Sequence, residues 1–116
     1  AAGVEPDVQC VGGHWNSVST ALGSQTFELV LSAETAYSEV NVRTIMTMLR
    51  RHLKRDGGKA YLATKRFYFG LSGGTLCIET EAAAAGLACR VVHSIEDGAS
   101  NIRDILMLTH VGEMLS

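Results

Sequence analysis

Phe27-Glu28-Leu29-Val30-Leu31-Ser32-Ala33-Glu34-Thr35-Ala36-Tyr37 is the first stretch of this 116-residue chain with strong apolar patterning. Phe27 to Leu31 is a short apolar run with β-branched content between polar turn residues, the signature of a buried strand. A helix is expected next. Between Asn41 and Arg55 the apolar residues Val42, Ile45, Met46, Leu49 and Leu53 recur at helical spacing, while Arg43, Arg50, Arg51, Lys54 and Arg55 fall elsewhere. His52 is expected on the solvated face. Ser38 or Asn41 can cap the start, and Asp56-Gly57-Gly58 ends the helix after a cationic last turn that suits its dipole.

Downstream, Lys59 to Thr64 reads as a second strand, and Gly70-Leu71-Ser72-Gly73-Gly74 as a turn. A helix over Thr75 to Ala85 follows, rich in alanine and closed by Gly86. Two more strands, Arg90 to His93 and Ile102 to Leu108, flank the turn-rich Glu96 to Asn101. The order β-α-β-α-β-β predicts an α/β fold with a parallel pair joined by a crossover helix and a C-terminal antiparallel hairpin. Upstream, residues 1–26 are rich in Gly, Ser, Asn and Thr and are expected to be loop-like, with one extended candidate at Val8 to Val11. The chain thus divides into a loop-rich remnant, 1–26, whose strand has nothing to pair with, and an α/β unit, 27–116.

Composition narrows the function. Ten Lys and Arg against 12 Asp and Glu give a net charge of −2, which supplies no basic field for a phosphate backbone, so nucleic acid is not an expected partner. No apolar run approaches the roughly 20 residues of a membrane span, and the opening residues lack the charged start and apolar core of a signal peptide. A cytoplasmic or nuclear location is expected. Cys10, Cys77 and Cys89 are odd in number and widely spaced, which suits free thiols in a reducing compartment. Cys10 and His14 are the only Cys/His pair at ligand-like spacing, and no metal is expected.

Two motifs sit where chemistry usually sits. Gly70-Leu71-Ser72-Gly73-Gly74 satisfies G-x-S-x-G between a strand and a helix, and Asp97 or Asp104 and then His110 follow in hydrolase order. It is either the nucleophile turn of a small serine hydrolase, with His110 as base, or an ordinary glycine turn. Glu34 follows the first strand, and open parallel sheets gather ligands at strand carboxyl ends. It is either a site carboxylate or an exposed loop residue.

Taken together, Phe27 to Tyr37, the basic helix, Tyr61-Leu62-Ala63-Thr64-Lys65 and Tyr68-Phe69-Gly70-Leu71-Ser72-Gly73-Gly74 resemble the C-terminal half of a seven-β-strand S-adenosylmethionine-dependent protein methyltransferase. More narrowly, the chain resembles the protein-histidine methyltransferase branch of family 16, with its S-E-T-x-Y motif after strand four and its Y-F-G-x-G-G-G-like stretch after strand five. His14-Trp15-Asn16 corresponds to that family's acidic-Trp step before strand four. The likeness runs over roughly Val8 to Leu108.

The resemblance implies a partial Rossmann-like sheet and the transfer of a methyl group to a protein substrate, histidine or alternatively lysine. Trp15 would lie beside the cofactor's adenine and Ala33 would line its site. Glu34 and Tyr37 would face the acceptor, and Lys65, Tyr68, Phe69 and Gly70 would shape the substrate side. Methyl transfer from a sulfonium is an in-line displacement, so the protein mainly has to align a neutral nitrogen. A carboxylate can fix which imidazole nitrogen is free, and an aromatic wall can hold the ring. His14 stands where the family has an acidic residue, and Ser72 where it has glycine. In the family's strand order, 3-2-1-4-5-7-6, strands one and two and the glycine-rich cofactor loop would lie upstream of Ala1. The isolated chain is therefore expected to be an inactive fragment that binds no cofactor tightly, with Phe27 to Leu31 as an open edge prone to self-association. A non-catalytic strand-pairing module is the remaining alternative.

Overall fold

The computed structural model describes residues 8–96, 98 and 102–112. Helix α1 (Trp15–Leu22), strand β1 (Leu29–Ala33), helix α2 (Glu39–His52), strand β2 (Lys59–Lys65), helix α3 (Thr75–Ala84) and strands β3 (Leu87–Glu96) and β4 (Ile102–His110) follow in that order. The four strands form one sheet ordered β1-β2-β4-β3, with β1 parallel to β2 and the other pairs antiparallel. This is the expected α/β arrangement with its C-terminal hairpin, and it reproduces the 4-5-7-6 end of the strand order that the resemblance implies.

Strand alternation sets the two faces. Ala60, Leu62 and Thr64 of β2 and Asp104, Leu106, Leu108 and His110 of β4 are buried. They share the core with Val42, Ile45, Met46 and Leu49 of α2 and Ile78 and Ala82 of α3. Alternate residues on the other face stay partly open: Tyr61, Ala63, Ile105 and Met107 are half-buried, and Leu29 and Leu31 on β1 are exposed. Among the described residues no helix is long and apolar enough to cross a membrane.

Several expectations are corrected. Residues 15–22 are helical rather than loop: the His14 side chain caps α1 by accepting from Asn16 N–H at 3.3 Å, and Trp15, Val18, Ser19 and Leu22 turn inward. Val8 to Val11 joins no strand and is exposed. The first strand begins two residues late, because Phe27 makes an isolated bridge to Leu53 instead. That bridge also ends α2 at His52 rather than Arg55: Phe27 N–H donates to His52 O at 2.7 Å, and Lys54 N–H to Phe27 O at 2.8 Å. His52 is buried, not solvated. Strand β3 is longer than Arg90 to His93 and carries a bulge between Val91 and His93. Most of the turn expected over Glu96 to Asn101, Asp97 included, lies outside the described residues.

Candidate functional site

Strands β1 and β2 run parallel, so their carboxyl ends open on the same rim. Glu34 is the first residue past β1. Its N–H donates to Ala63 O at 3.0 Å, extending the pairing by one residue, and its φ of 58° makes it the only described non-glycine residue in the left-handed region. The side chain is held from two directions: Tyr68 O–H donates to Oε2 at 3.3 Å, and Arg103 Nε lies 3.4 Å from Oε1. Tyr68 is itself fixed from beneath, since Lys65 N–H donates to its Oη at 3.3 Å and the buried Thr64 hydroxyl lies at the same distance. The Lys65 ammonium sits 5.8 Å from the Tyr68 ring centroid, a cation–π contact. Glu34, Lys65 and Tyr68 therefore form one cluster.

The loops around the cluster are locked by backbone proximity. A Cβ on Gly73 would lie 2.2 Å from Ala36 O and 2.4 Å from Tyr37 C, so only glycine lets the turn after β2 cross the loop after β1. Ser72 reinforces the crossing by accepting from Glu39 N–H at 2.9 Å. Below them, the fully buried Asp104 accepts from Arg66 at 3.0 and 2.9 Å, from Thr75 Oγ1 at 2.5 Å and from Ser94 Oγ at 2.7 Å. The hydrogen bonds from Arg66, then those from Ser94 and Thr75, hold its carboxyl well below the usual range although burial pushes it up. Asp104 thus joins β4 to β3, to the start of α3 and to the end of β2. Period-2 alternation with Leu106 and Leu108 was a signal that it points inward; nothing local pointed to Arg66 or Arg103.

The other expected residues are spread more widely. Tyr37 is exposed on the loop after Glu34, and Phe69 and Gly70 project from the turn after β2, Phe69 being 98% exposed. Trp15 lines a cavity of about 190 Å³ on the helical side of β1, with Phe27, Val30, Ser32 and His52. Ala33 lies on the opposite face with Tyr61 and Ala63, so the two residues expected to hold the cofactor do not share one pocket. The polar groups at the Trp15 cavity are already engaged: Ser32 Oγ bonds Thr35 Oγ1 at 2.6 Å, and His52 bonds Ser19 Oγ at 2.7 Å and Gln25 O at 2.8 Å. A carbonyl only accepts, so His52 Nδ1 donates to Gln25 O, and Nε2 is engaged by the Ser19 hydroxyl.

The hydrolase arrangement is not assembled among the described residues. Ser72 is occupied by Glu39 N–H, and His110, buried at the far end of β4, bonds Leu53 O at 2.9 Å. No described group of three or more His, Cys, Asp or Glu side chains could hold a metal ion. Cys77 and Cys89 are half-buried free thiols; burial, helped by Glu79, pushes Cys89 up to about 11, far from a reactive thiolate.

A partly parallel sheet with a carboxylate and an aromatic hydroxyl at the carboxyl ends of adjacent strands places the chain in the α/β class that binds ligands at that rim. No family model matches the sequence. Over 101 residues, 86% of its length, the chain is 31% identical to the histidine protein methyltransferase 1 homolog of Dictyostelium discoideum, and it spans about a third, 32%, of that relative. The likeness supports a methyltransferase relationship.

Proposed function

We propose that these residues form the acceptor side of an S-adenosylmethionine-dependent protein methyltransferase acting on a histidine side chain. The Glu34 carboxylate carries this reading. It is half-exposed, steadied by Tyr68 and Arg103, and keeps acceptor positions free because a carboxylate offers about four lone-pair sites. An imidazole that donates one N–H to Glu34 presents its other nitrogen with the lone pair free. Tyr68 holds the carboxylate's orientation, and the exposed Tyr37, three residues on, is assigned the role of ring wall. A lysine acceptor is the second reading, and the same carboxylate counts against it: a nearby negative charge favours the ammonium, which has no lone pair to react.

In the whole enzyme the cofactor supplies the methyl group; this chain supplies orientation of the acceptor. Because Trp15 and Ala33 line separate pockets, the isolated chain is expected to be catalytically silent and to show no micromolar binding of S-adenosylhomocysteine by isothermal titration. The reading includes a protein partner and no nucleic acid. Mass spectrometry of a protein substrate, after incubation with S-adenosylmethionine and a polypeptide that joins these residues to a cofactor-binding segment, tests it. Methylated histidine is expected, reduced about 100-fold or more in Glu34→Gln. Methylated lysine, or histidine methylation indifferent to Glu34→Gln, would overturn it.

A further inference from the structure

The Glu34 carboxylate sets a condition on a histidine acceptor. A lone negative charge stabilises a cation beside it, so a bare carboxylate draws imidazolium as well as imidazole, and imidazolium has no lone pair to receive a methyl group. Glu34 is not bare. Arg103 Nε lies 3.4 Å from its Oε1, and Lys65, the cross-strand partner of Arg103, holds its ammonium 5.8 Å from the ring centroid of Tyr68, whose hydroxyl donates to Oε2. Two cations directly opposite each other across antiparallel strands repel, and the carboxylate on Arg103 offsets that repulsion. The Glu34–Arg103 pair is half-exposed on both sides, a setting in which an ion pair contributes little to stability. Its consequence lies in the charge that an incoming side chain meets.

The neighbouring charges are otherwise engaged. Arg66 is turned onto the buried Asp104, and Glu39 onto Arg43. On β3, Arg103 is paired with the apolar Ile95, and Glu96 and His93, one and two positions along the register, are the nearest titratable residues of that strand. We propose that Arg103 is a positioning residue that acts through Glu34 to admit the acceptor as a neutral imidazole, an inference that rests on the acceptor reading above. Arg103 fixes Oε1, leaves the remaining lone pairs of the carboxylate to accept the imidazole N–H, and cancels the pull of Glu34 on a proton at the other nitrogen. The ordinary values of the two candidate acceptors make this cancellation selective. Imidazole titrates near about 6.5 and a lysine amine near about 10.4, so at neutral pH a charge-balanced rim meets mostly neutral histidine and almost wholly charged lysine.

Fluorescence anisotropy of a short labelled peptide with one central histidine, titrated with the 116-residue chain, tests the proposal. Binding is compared at about pH 7.5 and about pH 5.5, either side of the ordinary imidazole value. The same peptide with alanine at its centre corrects for titration of the chain itself. Histidine-dependent binding should weaken about fivefold at the lower pH, against the roughly tenfold loss of neutral imidazole over that interval. Arg103→Gln should remove that loss, because Glu34 then holds imidazolium as an ion pair, and should tighten binding of a lysine-centred peptide about threefold at the higher pH. Arg103→Lys restores the charge and should return both to their original values, whereas a merely structural Arg103 would move affinity alike at both pH values. Circular dichroism should be unchanged in both variants, since the side chain is half-exposed. An acid loss that survives in Arg103→Gln, or that Arg103→Lys fails to restore, would overturn the proposal and leave the acceptor reading standing where Glu34→Gln abolishes histidine-dependent binding. Binding indifferent to Glu34→Gln or to the central histidine would overturn the acceptor reading and the role of Arg103 with it.

Discussion

Asp104 has no exposed surface and accepts four hydrogen bonds, so its charge and the fold are coupled. Its folded pKa lies below the ordinary 3.8, so the stability it contributes is complete above that value and is lost as pH falls below it toward the folded pKa. Urea midpoints measured from pH 7 downward should hold steady and then drop below about pH 4. Asp104→Ala, which leaves the hydroxyls of Thr75 and Ser94 without their acceptor, should remove that drop and cost about 3 kcal/mol at neutral pH. Glu34 makes the opposite case. At φ 58° a non-glycine residue carries strain of about 1 kcal/mol, and its ion pair is exposed, so Glu34→Gly should unfold at slightly higher denaturant while losing acceptor binding. A loss of stability in that variant would show that the carboxylate holds the fold rather than serving the site.

Helix α1 shows where local pattern runs out. Its apolar face is short, Trp15, Val18 and Leu22, and its middle residue, Ser19, is buried with a hydrogen bond to His52, 33 positions away. No window of sequence contains that pair. Strand β1 was displaced for a similar reason, since Leu53 beyond α2 captures Phe27. Strands β2 and β4 and helix α2 were legible because their alternation and helical spacing lie within the element. Of the site, Glu34, Lys65 and Tyr68 were legible through a resemblance to known motifs, whereas Arg103 enters only through sheet pairing, opposite Lys65. His52→Ala should release α1, read as a red shift of Trp15, the only tryptophan, with the sheet signal in circular dichroism retained. An unmoved Trp15 emission would mean that the hydrogen bond does not hold the helix. Gly73→Ala drives a methyl into Ala36 O and should cost about 1–3 kcal/mol while displacing the Tyr37 loop.

At the scale of the molecule, β1 is a sheet edge whose Leu29 and Leu31 are 55% and 71% exposed. An open apolar edge is a template for pairing. Sedimentation over a concentration range is therefore expected to show self-association of the chain, reduced by Leu31→Lys; a strictly monomeric chain would contradict that use of the edge. On the proposed reading, the Glu34 cluster at the rim of the sheet is the side of a larger catalytic arrangement that receives the methyl group. Amide chemical-shift mapping of the 116-residue chain with a histidine-containing peptide tests this most directly. Perturbations concentrated at Glu34, Tyr37, Lys65 and Tyr68, and lost when alanine replaces the histidine, are the expected result; shifts elsewhere, or shifts indifferent to the histidine, would contradict it.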